Sequence, residues 1–326
     1  MSQKTIEIEH LSKTYGSIVA IENIHLNVEA GEIIGFLGPN GAGKTTTMRI
    51  LTGYLPATTG TVRIAGYDVH QHSMQVRRAI GYLPETPPLY THMTVKGFLH
   101  FVAKIKGVRA KERSRQVNKA IMRCQLIDRK NTIISKLSKS YRQRVGIAQA
   151  IVHEPPVIIL DEPTVGLDPR QIIEVQNLIK SLAGEHTIIL STHMLPEANT
   201  ICDRIAIINR GKIITIDTPQ NLQAQLKSNS YEIEVAGEID CILPLLSEVE
   251  GVIEASLDHN FLHSGDRHLL KIVCKPDTEP GANLSAIIIE QGLKLYEMRR
   301  TRHNLEDVFL QLTTKESVNL TLDRLV

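Results

Sequence analysis

Residues 38–46 read GPNGAGKTT, a segment whose residue types and spacing suit the binding of phosphate groups. It satisfies the pattern G-x-x-x-x-G-K-S/T with Gly38, Gly43, Lys44 and Thr45. The glycines let the backbone curl so that successive N–H groups point at phosphate oxygens, and the following helix adds its positive N-terminal end. Lys44 would reach the β- and γ-phosphates, while the Thr45 hydroxyl would bind Mg²⁺. A strand-like run before the segment and a helix predicted to start near Gly43 favour this interpretation over a glycine-rich turn.

Two acidic residues, Asp161 and Glu162, follow the apolar run VIIL at 157–160. A buried strand that ends in two carboxylates places the first where it can hold Mg²⁺ through water. The second can then orient or deprotonate an attacking water molecule. The pair could also serve as ordinary capping where the chain leaves the sheet. In combination with the phosphate loop, the catalytic interpretation is favoured.

A largely parallel sheet with packed helices must position these groups. From residue 4 to about 217, short β-rich runs alternate with helical segments, which is typical of this α/β arrangement. We predict helices at about 170–183 and 195–201, and a mostly helical, basic insertion at 94–134. The predicted strands are TIEIEHL, AIENIHLNV, EIIGFLG, IGYLP, PVIILDE, TIILST, RIAIIN and KIITID.

A second domain follows a polar helical segment at 218–230 that ends in a Ser and Asn cluster. We therefore predict one domain at 1–228, with a helical subdomain at about 86–150, and an accessory domain at 229–326. The accessory domain reads as a small α+β module. Its predicted strands are YEIEVA, LLKIVCK and LKLYEMRR, and its predicted helices are NLSAIIIEQG and a final one beginning at NLEDVFLQL.

The composition excludes several classes of protein. A chain of 326 residues that is 42% hydrophobic and 22% charged can bury at least one full core. Its longest apolar runs, such as VIIL and IAII, are far short of the roughly 18 residues that a membrane-spanning helix needs. The N-terminus lacks the layout of a secretory signal, and the four cysteines are too dispersed for a zinc site or a disulfide framework. We therefore expect a protein of the reduced cytoplasm.

The charges are distributed unevenly along the chain. Residues 1–230 hold 28 Lys and Arg against 18 Asp and Glu, whereas residues 231–326 hold 9 against 17. Within 96–144, 15 basic residues face only Glu112 and Asp128. This basic block is either a solvated helical face or a surface that lies near anionic headgroups.

With these motifs in place, residues 4–220 resemble the ATP-binding subunit of an ABC transporter. LDEPTVGLD (160–168) looks like the second nucleotide motif with its dimer-contacting loop, and STHMLPEA (191–198) looks like the switch segment. The resemblance implies a P-loop NTPase core with an antiparallel β subdomain and a helical subdomain. It also implies that Glu162 polarises water and that His193 senses the γ-phosphate.

The resemblance further assigns the remaining ligands of ATP and Mg²⁺. Tyr15 would stack on adenine, while Ser138 and Asp168 would act across a dimer on the partner's nucleotide. The residues expected to contact ATP are Tyr15, Gly38, Pro39, Asn40, Gly41, Ala42, Gly43, Lys44, Thr45, Thr46, Ser138, Ser140 and Asp168. The residues expected to hold Mg²⁺ are Thr45, Glu85 and Asp161.

The segment LSKSYRQR departs from the family signature L-S-G-G-Q, which caps the γ-phosphate of the opposite protomer. Ser138 still supplies a hydroxyl and a helix N-terminus, which attract an anion without a neighbouring glycine. Lys139 adds a positive charge. Ser140 is the least bulky polar substitute for a glycine, and Tyr141 replaces the glutamine. We interpret the segment as a working variant.

A second departure is Glu85 in IGYLPE, where the family most often has glutamine. Glutamate can still bind Mg²⁺ or water. Both departures look like the branch that serves ABC-2-type exporters, including gliding-motility and drug-resistance types. The ending NLEDVFLQLT (304–313) is similar to the tail of that branch.

The resemblance implies a homodimeric ATPase on the cytoplasmic face of a membrane, attached to separate permease subunits and without a nucleic-acid partner. One alternative is a soluble ABC ATPase of translation or DNA repair, although such proteins usually carry two cassettes or a long coiled-coil or zinc insertion. Another is a nucleotide-binding regulator that clamps a partner without turnover. The acidic accessory domain would regulate or dimerise the ATPase, or simply pack beside it.

Overall fold

The computed structural model describes residues 4–225, 229–237, 239, 241–258, 267–275 and 278–302. The chain divides into two compact units, Met1–Pro219 and Gln220–Val326. This division falls inside a short helix, a little before the boundary predicted after residue 228. The predicted final helix from residue 304 lies outside the described residues.

The first unit contains both strands and helices in alternation. Its strands are β1 (Lys4–Tyr15), β2 (Ile18–Glu29), β3 (Ile33–Leu37), β4 (Thr59–Ile64), β5 (Tyr67–Asp68), β6 (Ile80–Leu83), β7 (Val157–Asp161), β8 (Thr187–Thr192), β9 (Arg204–Asn209) and β10 (Lys212–Asp217). Its helices are α1 (Lys44–Leu51), α2 (Ser73–Ala79), α3 (Val95–Ile105), α4 (Ala110–Arg123), α5 (Lys139–Ile151), α6 (Pro169–Leu182) and α7 (Leu195–Ile201), and α8 (Pro219–Gln225) lies at the division.

The central sheet has the strand order β10-β9-β3-β8-β7-β6 and is parallel apart from the β9–β10 pair. Every residue of β3, β7 and β8 is buried. This explains the continuous apolar runs of these strands, since a parallel sheet is covered on both faces. The carboxyl ends of β3, β7 and β8 meet at one edge, where α/β proteins bind their ligands.

A separate antiparallel sheet, with the order β2-β1-β4-β5, completes the expected architecture of the first unit. Its apolar residues share one core with the central sheet, including Ile6, Ile24, Val62 and Phe36. The helices α3, α4 and α5 form the helical subdomain, and two short 3-10 turns precede α5. The predicted α/β class, with a β subdomain and a helical subdomain, is therefore confirmed.

In its described residues from Asn229 onward, the second unit forms an antiparallel sheet with the order β12-β13-β11-β14 and two helices. Its elements are β11 (Asn229–Ala236), α9 (Ile242–Ser247), β12 (Val252–Leu257), β13 (Arg267–Cys274), α10 (Gly281–Glu290) and β14 (Lys294–Arg302). This βαββαβ order with β11 and β13 in the centre is the ferredoxin-like arrangement. Its own core includes Ile233, Leu246, Ile272 and Leu284.

Most predicted elements are present with ends shifted by a few residues. The helix expected at 218–230 is shorter, because it ends at Gln225 and β11 already begins at Asn229. The strand β11 begins inside the polar Ser and Asn cluster because it is a central strand and pairs there with both β13 and β14. The sequence interpretation missed β4, β5, α2, α9 and β12, which are short or carry several exposed residues.

Candidate active site

The phosphate loop connects the buried strand β3 to helix α1. A side chain at Gly38 would bring its Cβ to 2.3 Å from the carbonyl oxygen of Ile208, so only glycine allows the loop to leave the sheet this closely. Helix α1 begins at Lys44, and no side chain caps its N-terminus. Its first N–H groups therefore remain available to an anion.

Lys44 is buried and joins the two ends of the loop. Its Nζ donates hydrogen bonds to the carbonyl oxygens of Gly38 at 2.8 Å and Pro39 at 3.3 Å. The same atom lies 3.3 Å from Oε1 of Glu162. The ammonium group is thus fixed between the loop and the acid that follows β7, where it can meet terminal phosphate oxygens.

Asp161 ends β7 and is only 1% exposed. Its Oδ1 accepts hydrogen bonds from the hydroxyls of Ser191 at 2.5 Å and Thr45 at 3.4 Å. Burial raises the pKa of this carboxyl group, which those hydroxyl donors partly oppose and the charges of Glu162 and Glu85 reinforce. A divalent cation would offset this buried charge, so these residues fit Mg²⁺.

The few ligands around Asp161 also suit Mg²⁺, which does not need a complete shell of protein ligands. Within the ranges that the structure describes, no three His, Cys, Asp or Glu side chains form a metal-binding group. Mg²⁺ usually takes one or two carboxylates and completes its shell with water and substrate phosphates. Asp161, the Thr45 hydroxyl and Glu85 would supply the protein ligands.

Glu162 is held in an unusual backbone conformation with φ at 49°. A left-handed conformation at a residue other than glycine costs about 1–3 kcal/mol and persists only where neighbouring contacts enforce it. Here the Glu162 N–H donates to both the hydroxyl and the carbonyl oxygen of Ser191, at 3.0 and 3.2 Å. Its Oε2 lies 2.8 Å from Nδ1 of His193. Lys44 and His193 therefore hold the carboxylate from two sides.

A cavity of about 360 Å³ brings most of the predicted site residues together. It is lined by Ile18, Val19, Ala20, Pro39, Asn40, Gly41, Ala42, Gly43, Lys44, Thr45, Thr46, Glu85, Glu162, Val165 and His193. A neighbouring cavity of about 580 Å³ also contains Thr45 and Glu85, together with Asp161. Two of the predicted Mg²⁺ ligands, Thr45 and Glu85, thus line both cavities, and the third, Asp161, lines the second.

Tyr15 does not belong to that lining. It ends β1 as a half-exposed side chain, and the ammonium group of Lys13 lies 5.3 Å from its ring centroid. Two well-exposed apolar residues that follow it in the chain, Ile18 and Val19, do line the cavity. Both side chains were missed by the sequence interpretation, although they follow Tyr15 directly after a tight turn.

The altered signature forms the first turn of α5. Ser138 is the N-cap residue, and its hydroxyl accepts the N–H of Tyr141 at 3.4 Å and lies 3.0 Å from the Ser140 hydroxyl. Ser140 is buried, whereas Ser138 and Lys139 are exposed. None of the three lines the cavity of its own chain. The replaced residues therefore build a regular capped helix start rather than a disrupted loop.

Asp168 likewise lies outside the cavity, as an exposed N-cap residue of α6. Its side chain accepts the N–H of Gln171 at 3.0 Å, and Pro169 occupies the first helical position. Proline is well suited to that position because its missing N–H has no helical partner there. The structure therefore shows a capping role for Asp168 within its own chain.

The structure also reveals supporting polar residues that the motifs did not single out, chiefly Ser191, Thr192, Thr164 and Glu197. Ser191 and Thr192 end β8, and each contacts an acid. Their signal was the polar ending of the otherwise apolar strand TIILST. Glu197 gave no signal of its own, because an acid in a short helix usually faces solvent.

The comparisons with known proteins agree with this geometry. Residues 21–165 match the family described as ABC transporter. The bacitracin transport ATP-binding protein BcrA of Bacillus licheniformis is 32% identical over 312 residues, which cover 94% of this chain and 96% of the relative. The Nod factor export ATP-binding protein I of Ralstonia nicotianae is 31% identical over 317 residues, covering 97% and 95%.

A solved structure shares the fold as well. The dimeric post-hydrolysis state of an ATP-binding cassette bound to ADP and Pi superimposes with a TM-score of 0.60 and 26% identity, covering 65% of this chain and 98% of that chain. The chain therefore belongs to the ATP-binding proteins of ABC transporters. It is an ATPase that binds nucleotide. No described helix is long and apolar enough to span a bilayer.

Proposed function

We propose that this ATPase powers export through separate ABC-2-type permease subunits. The observation that carries the proposal is the contact chain of Lys44, Glu162 and His193 inside the cavity formed by the phosphate loop. Such a site can hold a triphosphate and activate water beside it. The names of two relatives, a bacitracin transport protein and a Nod factor export protein, support the coupling to transport.

Each residue of the site has a distinct task in the proposed mechanism. Lys44 and the loop N–H groups would hold the phosphates, while Ile18 and Val19, with Tyr15, would contact the base. Glu162 would accept a proton from the attacking water, since its carboxylate is buried and oriented by two neighbours. Mg²⁺, when bound to Asp161, Thr45 and Glu85, would neutralise charge on the phosphate oxygens.

His193 is placed to report on the terminal phosphate. Its Nδ1 contacts Glu162, and the imidazole is partly exposed at the cavity edge. A phosphate that binds there would compete for the same imidazole. Binding of the terminal phosphate would thus change the contacts of the segment 191–198.

Two copies would complete the site. Ser138 and Asp168 are exposed and lie outside the cavity of their own chain, so we propose that each reaches the nucleotide of a second copy. ABC ATPases dimerise and work with membrane permeases, and the matching cassette bound to ADP and Pi is dimeric. The capped start of α5 keeps Ser138 and the helix N-terminus directed outward for such a contact.

Sedimentation velocity tests the dimer proposal, with Glu162→Gln used to slow turnover. With saturating Mg-ATP the variant should sediment as a dimer, and without nucleotide it should be a monomer. A second substitution, Lys44→Ala, should prevent the shift because it removes a phosphate contact. A monomer at saturating Mg-ATP would contradict the proposal.

We place the protein on the cytoplasmic side of a membrane, with the basic block 96–144 near anionic headgroups. Lys104, Arg109, Lys111 and Arg115 are exposed, and none forms a salt bridge with the acids that the structure describes. Each such charge near an anionic surface is worth about 1 kcal/mol. No role in nucleic-acid binding is proposed.

Flotation with neutral and with anionic liposomes tests this placement. Binding should require anionic lipid, weaken with salt and decline when those four residues are changed to glutamine. As a control, changing Arg170 and Lys180 on α6 to glutamine should leave binding like that of the parent. Equal, salt-insensitive binding to both liposomes would contradict it.

We also propose that residues 229–326 act as an accessory domain that regulates or dimerises the ATPase. Its ferredoxin-like sheet has its own core and no catalytic cluster among the described residues. Removal of the domain should leave Mg-ATP binding intact and change the dimerisation constant or turnover. Unchanged values for both would contradict the proposal.

A further inference from the structure

Glu197 is a buried acidic residue outside the cavity. It lies in α7, is 1% exposed, and forms no salt bridge with any Lys or Arg in the described part of the chain. Burial raises the pKa of its carboxyl group, while hydrogen bonds from two threonine hydroxyls oppose that rise. A buried carboxyl group is costly unless its oxygens are satisfied, so its partners matter.

Those partners come from two different functional segments. Oε1 accepts the hydroxyl of Thr164 at 2.9 Å, and Oε2 accepts the hydroxyl of Thr192 at 2.6 Å. Thr164 lies two residues after Glu162, and Thr192 directly precedes His193. Glu197 therefore links the segment that follows Glu162 to the residue that directly precedes His193.

Further hydrogen bonds extend this link in both directions. The carbonyl oxygen of Thr192 accepts the N–H of Gly38, the first residue of the phosphate loop, at 3.3 Å. At the other end, the carbonyl oxygen of Pro163 accepts the buried amide of Gln143, on the signature helix α5, at 2.7 Å. The phosphate loop, the switch segment and α5 are thus joined through the segment around Thr164.

The position of Glu197 is fixed by the packing of α7. Its neighbours Leu195, Ala198 and Ile201 are buried, and Ala198 begins the hydrogen-bonded turn by donating to the carbonyl oxygen of Met194. The side chain therefore has little freedom to follow a displaced threonine. If either threonine moved, one buried carboxyl oxygen would lose its hydrogen-bond partner, which is unfavourable.

We propose that Glu197 is a positioning residue for ATP hydrolysis, which sets the distance between Glu162 and His193 by holding Thr164 and Thr192 together. This inference rests on the roles proposed above for Glu162 and His193. Glu197 does not touch nucleotide in this arrangement. Its effect on the reaction passes through the two threonines, and errors of about 1 Å in such a site can reduce rates by about a hundredfold.

A purely structural role makes a different forecast. A buried acid that only holds α7 in place would lower stability when removed, yet would leave the turnover of the folded protein unchanged. The kinetic constants and the environment of the His193 ring separate the two roles. The substitution Glu197→Gln keeps the shape of the side chain and two hydrogen-bonding atoms, because the amide can donate to a threonine hydroxyl.

The experiment compares the full chain with Glu197→Ala, Glu197→Gln, Thr164→Val and Thr192→Val. Steady-state phosphate release gives kcat and KM, a fluorescent ATP analogue gives Kd, and NMR of the histidine ring reports on His193 directly. Thermal melts identify variants that fail to fold. Glu32→Gln and Thr187→Val are the controls, since both residues are at the opposite end of the central sheet, where Glu32 accepts the N–H of Glu29 and pairs with Arg204, and Thr187 accepts the N–H of Gly31.

We expect Glu197→Ala to lower kcat about tenfold or more and to shift the His193 resonances, with KM and Kd within about threefold of the parent. Glu197→Gln should restore kcat to within about threefold. Thr164→Val and Thr192→Val should each lower kcat, and neither should lower it further in the Glu197→Ala background. The two controls should keep the parent's kcat.

The inference is overturned if folded Glu197→Ala keeps the parent's kcat and His193 resonances. If Glu197→Ala does not fold, the threonine variants decide, and unchanged kcat in both overturns it equally. A failure of the proposed roles would look different. In that case Glu162→Gln would itself retain turnover, while the His193 resonances would still respond to Glu197→Ala.

Discussion

The Nδ1 atom of His193 lies 2.8 Å from Oε2 of Glu162, although the two residues directly follow different strands of the central sheet. Parallel neighbours β7 and β8 bring them together, since Asp161 pairs with Ser191 in the register of that sheet. On its other side the carboxylate meets Lys44 at 3.3 Å. One acid is therefore oriented jointly by the phosphate loop and the switch segment.

Lys44→Ala should weaken Mg-ATP binding at least about tenfold, because it removes the cation that bridges the phosphate loop and Glu162. Equilibrium titration with a fluorescent ATP analogue measures the change. Lys180→Ala, an exposed lysine near the end of α6, should bind like the parent. An unchanged Kd in Lys44→Ala would place the phosphates elsewhere.

Ser138→Ala should affect both stability and turnover. The hydroxyl caps α5, so its loss should lower the free energy of unfolding by about 1 kcal/mol. It should also lower kcat, while ATP binding by the isolated chain stays unchanged because Ser138 lies outside the cavity. Urea denaturation and phosphate release are the measurements. If Ser138→Ala lost stability but kept the parent's turnover, Ser138 would act only as a helix cap.

Gly81→Ala should destabilise the junction between β6 and α5. The new methyl group would lie 2.1 Å from the carbonyl oxygen of Ala150, so backbone must move, at a cost of about 1–3 kcal/mol in the free energy of unfolding. Gly97→Ala is the comparison, since its methyl group would meet side-chain atoms alone, the Thr94 hydroxyl at 3.0 Å and the Met93 methyl group at 3.7 Å. Urea denaturation should show a clearly larger loss at position 81.

Stability should fall in acid because of His153. Burial lowers its pKa to about 4, with a further contribution from Lys106. Between the unfolded value near 6.5 and this folded value, the unfolded chain binds the extra proton. The free energy of unfolding therefore rises with pH across that window, by up to about 3 kcal/mol.

Urea denaturation from pH 4 to 7 checks this dependence with His153→Gln, which cannot titrate there. The variant should show a flatter profile, while exposed His92→Gln should follow the parent. His186, whose pKa is also lowered chiefly by burial, contributes with the same sign and remains in every variant. Identical slopes for His153→Gln and the parent would show that His153 is not responsible.

Much of the site was predictable because its chemistry is encoded in short contiguous segments. The phosphate loop and the acids after VIIL carry their own spacing, and parallel strands then place them at one sheet edge. The contact between Glu162 and His193 followed less directly, since it depends on the register of β7 and β8. Sequence patterns specify that two strands are neighbours more readily than which residues face each other.

Other features depended on tertiary packing that no local pattern encodes. Glu197 looks like an ordinary helix acid until α7 is packed, and only then do the two threonines meet its oxygens. The strands β12 and β4 were missed because both carry exposed residues that weaken the alternation. The altered signature was read as functional from Ser138, and the structure adds that residues 139–141 begin a regular helix.

The most direct test of the central claim is to measure ATP binding and phosphate release by the Glu162→Gln variant. The account predicts that Glu162→Gln binds Mg-ATP with a Kd within about threefold of the parent, yet releases phosphate at least about a hundredfold more slowly. Glu22→Gln, an exposed acid paired with Lys212, should retain the parent's rate. Phosphate release by Glu162→Gln at the parent's rate would contradict the account.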